Sequence, residues 1–139
     1  MLTENDVVDA VCGYLRSNGY IISQKLSTTG KGIDIIASHQ KHPGRLLIEA
    51  KGATSSRVGS ASYGSSFVDD QVFDRVAKGF YAAARMYTEG QKNGDKIGLA
   101  FPNTEPFRKY LDRIKGAINI LRITIYLVED VPQRTVTTL

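Results

Sequence analysis

Two apolar runs, residues 32–38 and 45–51, constrain this chain more than any other feature of it. Each has the length of a strand and is too short for an ordinary helix. Only the loop from His39 to Gly44 separates them, so they are expected to pair as an antiparallel hairpin. In the register that this loop sets, Ile36 faces Leu47 and Asp34 falls opposite Glu49. Side chains alternate across a strand with period two. Asp34, Ile36, Leu47, Glu49 and Lys51 are therefore expected on one face, and Ile33, Ile35, Ala37, Leu46, Ile48 and Ala50 on the other. Both faces are apolar near the middle, which places the pair inside a larger sheet.

The charges on those strands then need a reason. Carboxylates directly opposed on a sheet have Cβ atoms only about 5 Å apart, and like charges there destabilise. Burial strengthens the repulsion. A shared proton, a cation such as Lys51, or a divalent metal relieves it. An ion pair between Glu49 and Lys51 at an exposed strand end explains one carboxylate and leaves Asp34 without a reason.

The remaining pattern supplies the other elements. Thr3 followed by Asp6 is an acidic form of the capping box, and Val7, Val8, Val11, Cys12, Tyr14 and Leu15 then recur at helical spacing up to Asn18-Gly19. Residues 20–26 read as a strand, split from the next by the turn-rich Ser27-Thr28-Thr29-Gly30. A second amphipathic helix is expected over 69–88, a strand over 96–101, a third helix over 105–115 with Pro106 in its first turn, and a strand over 122–128. The tail beyond about 130 is expected to be loose. Hydrophobic residues make up 42% of the 139, enough for one core, and no boundary divides them, so a single domain over 1–139 is expected. The one cysteine, Cys12, lies on the apolar side of the first helix and reads as packing. No apolar run reaches the length of a membrane span, and the chain starts without a basic stretch leading into an apolar one, so the expectation is a cytoplasmic protein away from membranes.

At 100° per residue, Glu4 is the acid of the first helix that points to the same side as its apolar residues, while Asp6 and Asp9 point away. An acid in a first turn also suits the helix dipole. Taken together, a helix acid, then Gly32-Ile33-Asp34, then Ile48-Glu49-Ala50-Lys51, resembles the PD-(D/E)xK nuclease superfamily of restriction-endonuclease-like and Holliday-junction-resolvase-like proteins. The resemblance covers residues 1 to about 101 as an αβββαβ core and extends less specifically to 128. It implies an α/β fold with a central mixed sheet flanked by helices. It implies a metal-dependent DNA endonuclease, with a non-catalytic DNA-binding or assembly module on the same fold as the alternative. By the resemblance, Asp34, Glu49 and the Ala50 backbone carbonyl would bind Mg²⁺ or Mn²⁺, and Glu4 would bind it directly or through water. Lys51 would contact the attacking water or the scissile phosphate, and Gln71 stands where some members place a glutamine early in the second core helix. The family's proline before the aspartate is replaced by Ile33.

DNA contacts have several candidates. Residues 52–68 hold three glycines and six serines, a long polar loop that is either functional or a plain insertion, with Arg57 and Tyr63 as its candidates for phosphate pairing and stacking. On the second helix, Val72, Phe73, Val76, Phe80, Ala83 and Tyr87 are expected to be buried. Gln71, Arg75, Lys78 and Arg85 form a stripe opposite them, either a solvated face or a contact to phosphates. Arg108, Lys109, Arg113 and Lys115 on the third helix read as solvated. The net charge of +4 permits a polyanion partner. His39 and His42 have no third ligand near them in sequence, which argues against zinc. A domain of this size cuts both strands of a duplex most simply as a homodimer.

Overall fold

The computed structural model describes residues 1–27, 32–54, 69–90 and 93–139. Its elements follow the order α1 (Glu4–Ser17), β1 (Ile21–Lys25), β2 (Ile35–His39), β3 (His42–Ala50), α2 (Asp69–Gly90), β4 (Lys96–Pro102), α3 (Glu105–Arg113), α4 (Lys115–Ile120), β5 (Thr124–Val128) and β6 (Val136–Thr138). The six strands among the described residues form one mixed sheet in the order β1-β2-β3-β4-β5-β6. β3, β4 and β5 run parallel, and the flanking pairs are antiparallel. The expected α/β class and αβββαβ order are both present.

Hydrophobic periodicity explains the layers. Val7, Val8, Val11, Cys12 and Leu15 of α1 are buried with Ile35, Ala37, Leu46, Ile48, Ala50, Ala100, Tyr126 and Val128 on one face of the sheet. Val72, Val76, Ala83 and Met86 of α2, with Phe107, Leu111 and Ile118 of α3 and α4, are buried with Leu47, Ile97, Leu99, Phe101, Ile125 and Leu127 on the other. β3, β4 and β5 are apolar on both faces because helices cover both. No helix among the described residues is long and apolar enough to cross a membrane.

The hairpin has the expected register, with Ile36 opposite Leu47, but its ends differ from expectation. β2 and β3 continue to a tight turn at residues 40 and 41, where a six-residue loop was expected. Gly44 sits in β3 at φ 77°, a conformation that a residue with a side chain rarely takes, and its Cβ would lie 2.2 Å from the Gly94 carbonyl oxygen. That local irregularity lets a His-Pro-Gly stretch that reads as a loop remain in a strand. At the other end β2 begins only at Ile35. Residues 32–34 are bent, so alternation stops there and Ile33 packs on the α2 side, not with Ile35 as period two predicts.

Three further expectations change. Phe73 is 52% exposed at the flank of the α2 stripe, where it meets Tyr110 edge to face with ring centroids 5.5 Å apart. The third helix breaks at Ile114 into α3 and α4. The tail beyond 130 is not loose throughout: Val136–Thr138 pairs with β5, and the Arg134 guanidinium reaches the Asp6 carboxylate at 3.2 Å. Three residues of mixed polarity are too short a strand to show in sequence, and the exposed edge of β5 is what recruits them.

Candidate active site

The carboxyl-terminal ends of β3 and β4 and the amino-terminal end of α1 meet at one place. Backbone pairing builds it. The Lys51 N–H donates to the Ala100 carbonyl at 3.0 Å, which turns the backbone of Glu49 and Lys51 toward β4. The backbone of the residue between them must then face β2, and the Ala50 N–H indeed donates to Asp34 Oδ2 at 2.8 Å. In a strand the N–H and C=O of one residue point to the same side. The Ala50 carbonyl is therefore aimed to the side on which Asp34 lies.

The side chains complete the cluster. Glu49 and Lys51 share the face expected of them and form an ion pair, Nζ to Oε2, of 3.2 Å, with side chains only 18% and 15% exposed. The Asp34 carboxyl is pushed up to about 7, first by burial, then by the negative charge of Glu49; the Ala50 N–H opposes the rise, and Glu4 and a hydrogen bond with the Glu49 carboxyl add to it. The two carboxyls therefore interact, although the bend at 32–34 takes Asp34 out of the paired register in which it was expected to stand opposite Glu49.

Glu4 enters from the other layer. Thr3 and Asp6 form the reciprocal capping box, with the Thr3 N–H donating to Asp6 Oδ2 at 2.9 Å and the Asp6 N–H donating to Thr3 Oγ1 at 3.1 Å. Asp6 is thus occupied in the cap, and Glu4 is left half-buried. Burial raises its pKa; the positive charge of Lys51 offsets this, Glu49 reinforces it and Arg75 lowers it again. Four neighbouring charges, from α1, β3, the chain beyond β3 and α2, therefore act on one region.

Gly52 makes that convergence sterically possible, and sequence reading counts it only as loop glycine. It is buried, and a Cβ there would lie 2.4 Å from the Glu4 nitrogen and 2.6 Å from the Thr3 carbonyl carbon. The bare backbone after Lys51 lies directly against the start of α1, with the Ala53 N–H donating to the Leu2 carbonyl at 2.8 Å and Thr3 bridging to Thr54. No periodicity or motif signals this contact.

The other candidates divide. Gln71 and Arg75, one turn apart on α2, are half-buried, and the charge of Arg75 reaches Glu4. Arg75 thus belongs with the carboxylates as well as with the basic stripe. Lys78 is exposed one turn on. Arg85 pairs with Glu89 at 3.4 Å on the solvated side of the helix. Lys109 pairs with Asp69 at 2.8 Å and Lys115 with Asp112 at 3.4 Å, ordinary surface pairs. Arg57 and Tyr63 lie outside the described residues.

Among the described residues no three histidine, cysteine, aspartate or glutamate side chains are grouped so that they could hold a metal ion. The donor set fits a different kind of site. Mg²⁺ is held by one or two carboxylates and keeps several waters. Asp34 and Glu49 in mutual contact, with a backbone carbonyl aimed to the same side, meet that requirement, and Glu4 stands within electrostatic reach.

No family model matches the chain, and no curated protein matches it. Among solved structures it is similar to that of Pyrococcus furiosus SfsA in complex with Ca²⁺, at 13% identity and a TM-score of 0.38, over 96% of this chain and 58% of that one. The chain therefore spans little more than half the length of that protein.

Proposed function

We propose that this protein is a DNA endonuclease that hydrolyses phosphodiester bonds with a divalent metal, Mg²⁺ or Mn²⁺, held by Asp34, Glu49 and the Ala50 carbonyl, with Glu4 completing the set. The observation that carries this reading is the meeting of two carboxyls, a strand-end backbone group and a poorly exposed lysine at one end of the sheet. A carboxyl whose proton affinity is raised by burial and by a neighbouring carboxylate is a cost to the folded chain, and a divalent cation converts that cost into binding. When bound, the metal would lower the pKa of a water and offset the negative charge that grows on the phosphoryl oxygens.

The chain's own residues supply the rest. The Ala50 N–H holds Asp34 in one orientation. Glu49 holds the Lys51 ammonium close to the carboxylates and away from bulk water. A lysine so placed stabilises the pentacovalent transition state more than the ground state, because charge develops there. Arg75, with Gln71 a turn earlier, would position the scissile strand by phosphate contacts, and Lys78 would extend that track along α2.

Nicking of supercoiled plasmid in the presence of Mg²⁺ or Mn²⁺, abolished by EDTA, tests the proposal. Lys51→Ala is expected to reduce cleavage at least a hundredfold while thermal stability and plasmid retardation stay near wild type, since the lysine acts in the transition state. Cleavage by Lys51→Ala at the wild-type rate would overturn the assignment. Salt-sensitive retardation without cleavage by the wild type would leave a DNA-binding module in its place.

A further inference from the structure

At the opposite end of the sheet from the carboxylates, a cavity of about 660 Å³ opens between α2, α4 and the starts of β4 and β5, lined by Tyr87, Asp95, Lys96, Ile120, Arg122 and Thr124 among others. Its size suits a small ligand. Lys96 lies four residues before Ala100 on β4, which at strand rise puts it about 13 Å from the level of the candidate active site.

Two cations, Lys96 and Arg122, line this cavity, and among the described residues no uncommitted acid lines it with them. Gly98 pairs with Thr124 where β5 begins, and Lys96 and Arg122, each just before these positions in the chain, both line the cavity. Neither side chain forms an ion pair among the described residues. The acid in the cavity wall, Asp95, is committed elsewhere: its carboxylate accepts from the Arg45 backbone N–H at 3.1 Å and from the Arg45 guanidinium at 3.0 Å. Burial would raise the Asp95 pKa, but those bonds and the Arg45 charge together hold it below the usual carboxylate range.

The backbone at Arg122 is an independent observation. α4 ends with the Ile123 N–H donating to the Ile118 carbonyl at 3.0 Å and the Arg122 N–H to the Asn119 carbonyl at 3.1 Å. This helix-ending motif places Arg122 at φ 56°, a position that glycine ordinarily takes. An arginine holds a left-handed conformation that disfavours it, on a cavity that a second cation also lines. Strain of this kind gathers at ligand sites.

We propose that this cavity is an anion site, distinct from the cluster at the other end of the sheet, that takes a small phosphate ester. Lys96 and Arg122 meet the phosphate dianion, Thr124 offers a hydroxyl, and the organic part of the ester packs on Tyr87 and on Ile120, which is 82% exposed. Two positive charges match a dianion better than a carboxylate. The site is independent of the nuclease reading and requires no metal.

Nitrogen-15 NMR titrations in metal-free buffer test it with three probes: deoxyadenosine 5′-monophosphate, inorganic phosphate and deoxyadenosine. Both phosphates are expected to shift the amides of Lys96, Arg122 and Thr124, the ester at lower concentration, and the nucleoside is expected to leave them unmoved. Arg122→Gly suits the left-handed backbone, so the variant is expected to unfold at a higher temperature while binding the monophosphate at least tenfold more weakly. Lys96→Met is expected to weaken binding as much. Wild-type affinity in Arg122→Gly, equal shifts from the nucleoside, or phosphate shifts confined to the neighbourhood of Asp34 and Glu49 would overturn the proposal.

Discussion

Asp34 shows at the residue scale how a conflict becomes a property that can be measured. Its pKa stands at about 7 in the folded chain against an ordinary 3.8. The folded state therefore binds this proton more tightly than the unfolded state does. Stability from this group is complete below the ordinary value, falls as pH rises from about 4 to about 7, and is constant above. Asp34→Asn keeps an acceptor for the Ala50 N–H and removes the charge, so the variant should be more stable than wild type at pH 8. About 1–2 kcal/mol is expected, less than the full linkage value because part of the group meets solvent. The gain should shrink toward zero near pH 4. Thermal denaturation across this range checks the sign. Mn²⁺ at pH 8 should raise the melting temperature of wild type and leave that of Asp34→Asn nearly unmoved. A variant less stable than wild type at pH 8 would mean that other groups already compensate the charge.

At the element scale, the site depends on how the start of α1 docks against the chain leaving β3. Gly52 allows the contact, since any Cβ would press within 2.6 Å of the backbone of both Thr3 and Glu4. Gly52→Ala should push the two apart, costing about 1–3 kcal/mol as an overpacked contact. It should also weaken Mn²⁺ binding, because Glu4 moves with its helix. Calorimetric titration with Mn²⁺ separates the effects: lower stability with wild-type metal affinity would remove Glu4 from the metal set. The Arg45–Asp95 pair is the second such joint, linking β3 to the start of β4. The Asp95 side chain is 1% exposed, so Arg45→Ala leaves a buried carboxylate without its cation and should cost about 2–4 kcal/mol in chemical denaturation. Arg45→Met at the same cost would attribute the effect to the lost charge, since most of the side-chain volume is kept.

The whole molecule is a sheet whose parallel centre is covered on both faces and whose edges are short. β6 contributes only Val136–Thr138, yet it is what pairs the outer side of β5, and Arg134 ties the same segment to the cap of α1. Removing residues 131–139 should expose the β5 edge, where Tyr126, Leu127 and Val128 are now buried. Open edges of this kind recruit other chains. The truncated protein is expected to self-associate in light scattering at concentrations where the full chain does not, and a monodisperse truncated form would show that the helices protect the edge unaided.

What the sequence determined by itself is what local periodicity and short separation decide. The strand hairpin and the opposition of Ile36 to Leu47 follow from two runs too near each other to pair otherwise, and the shared face of Glu49 and Lys51 follows from the pleat. The capping box at Thr3 and Asp6 and the helical stripes are equally local, because a helix or a strand imposes its repeat on whatever residues it contains. Tertiary structure decided the rest. Period two places Ile33 on the wrong face, because the bend at 32–34 is set by how the chain enters the sheet. Phe73 fits the stripe of α2 and is exposed, because the extent of α3 and not the helix repeat determines what covers it. Gly52 is one glycine among many until Glu4 lies against it, and Lys96 and Arg122 are unrelated charges until the fold brings both to one cavity. Contacts between residues far apart in the chain depend on which surfaces are left when the core has closed, and one-dimensional periodicity carries no record of that.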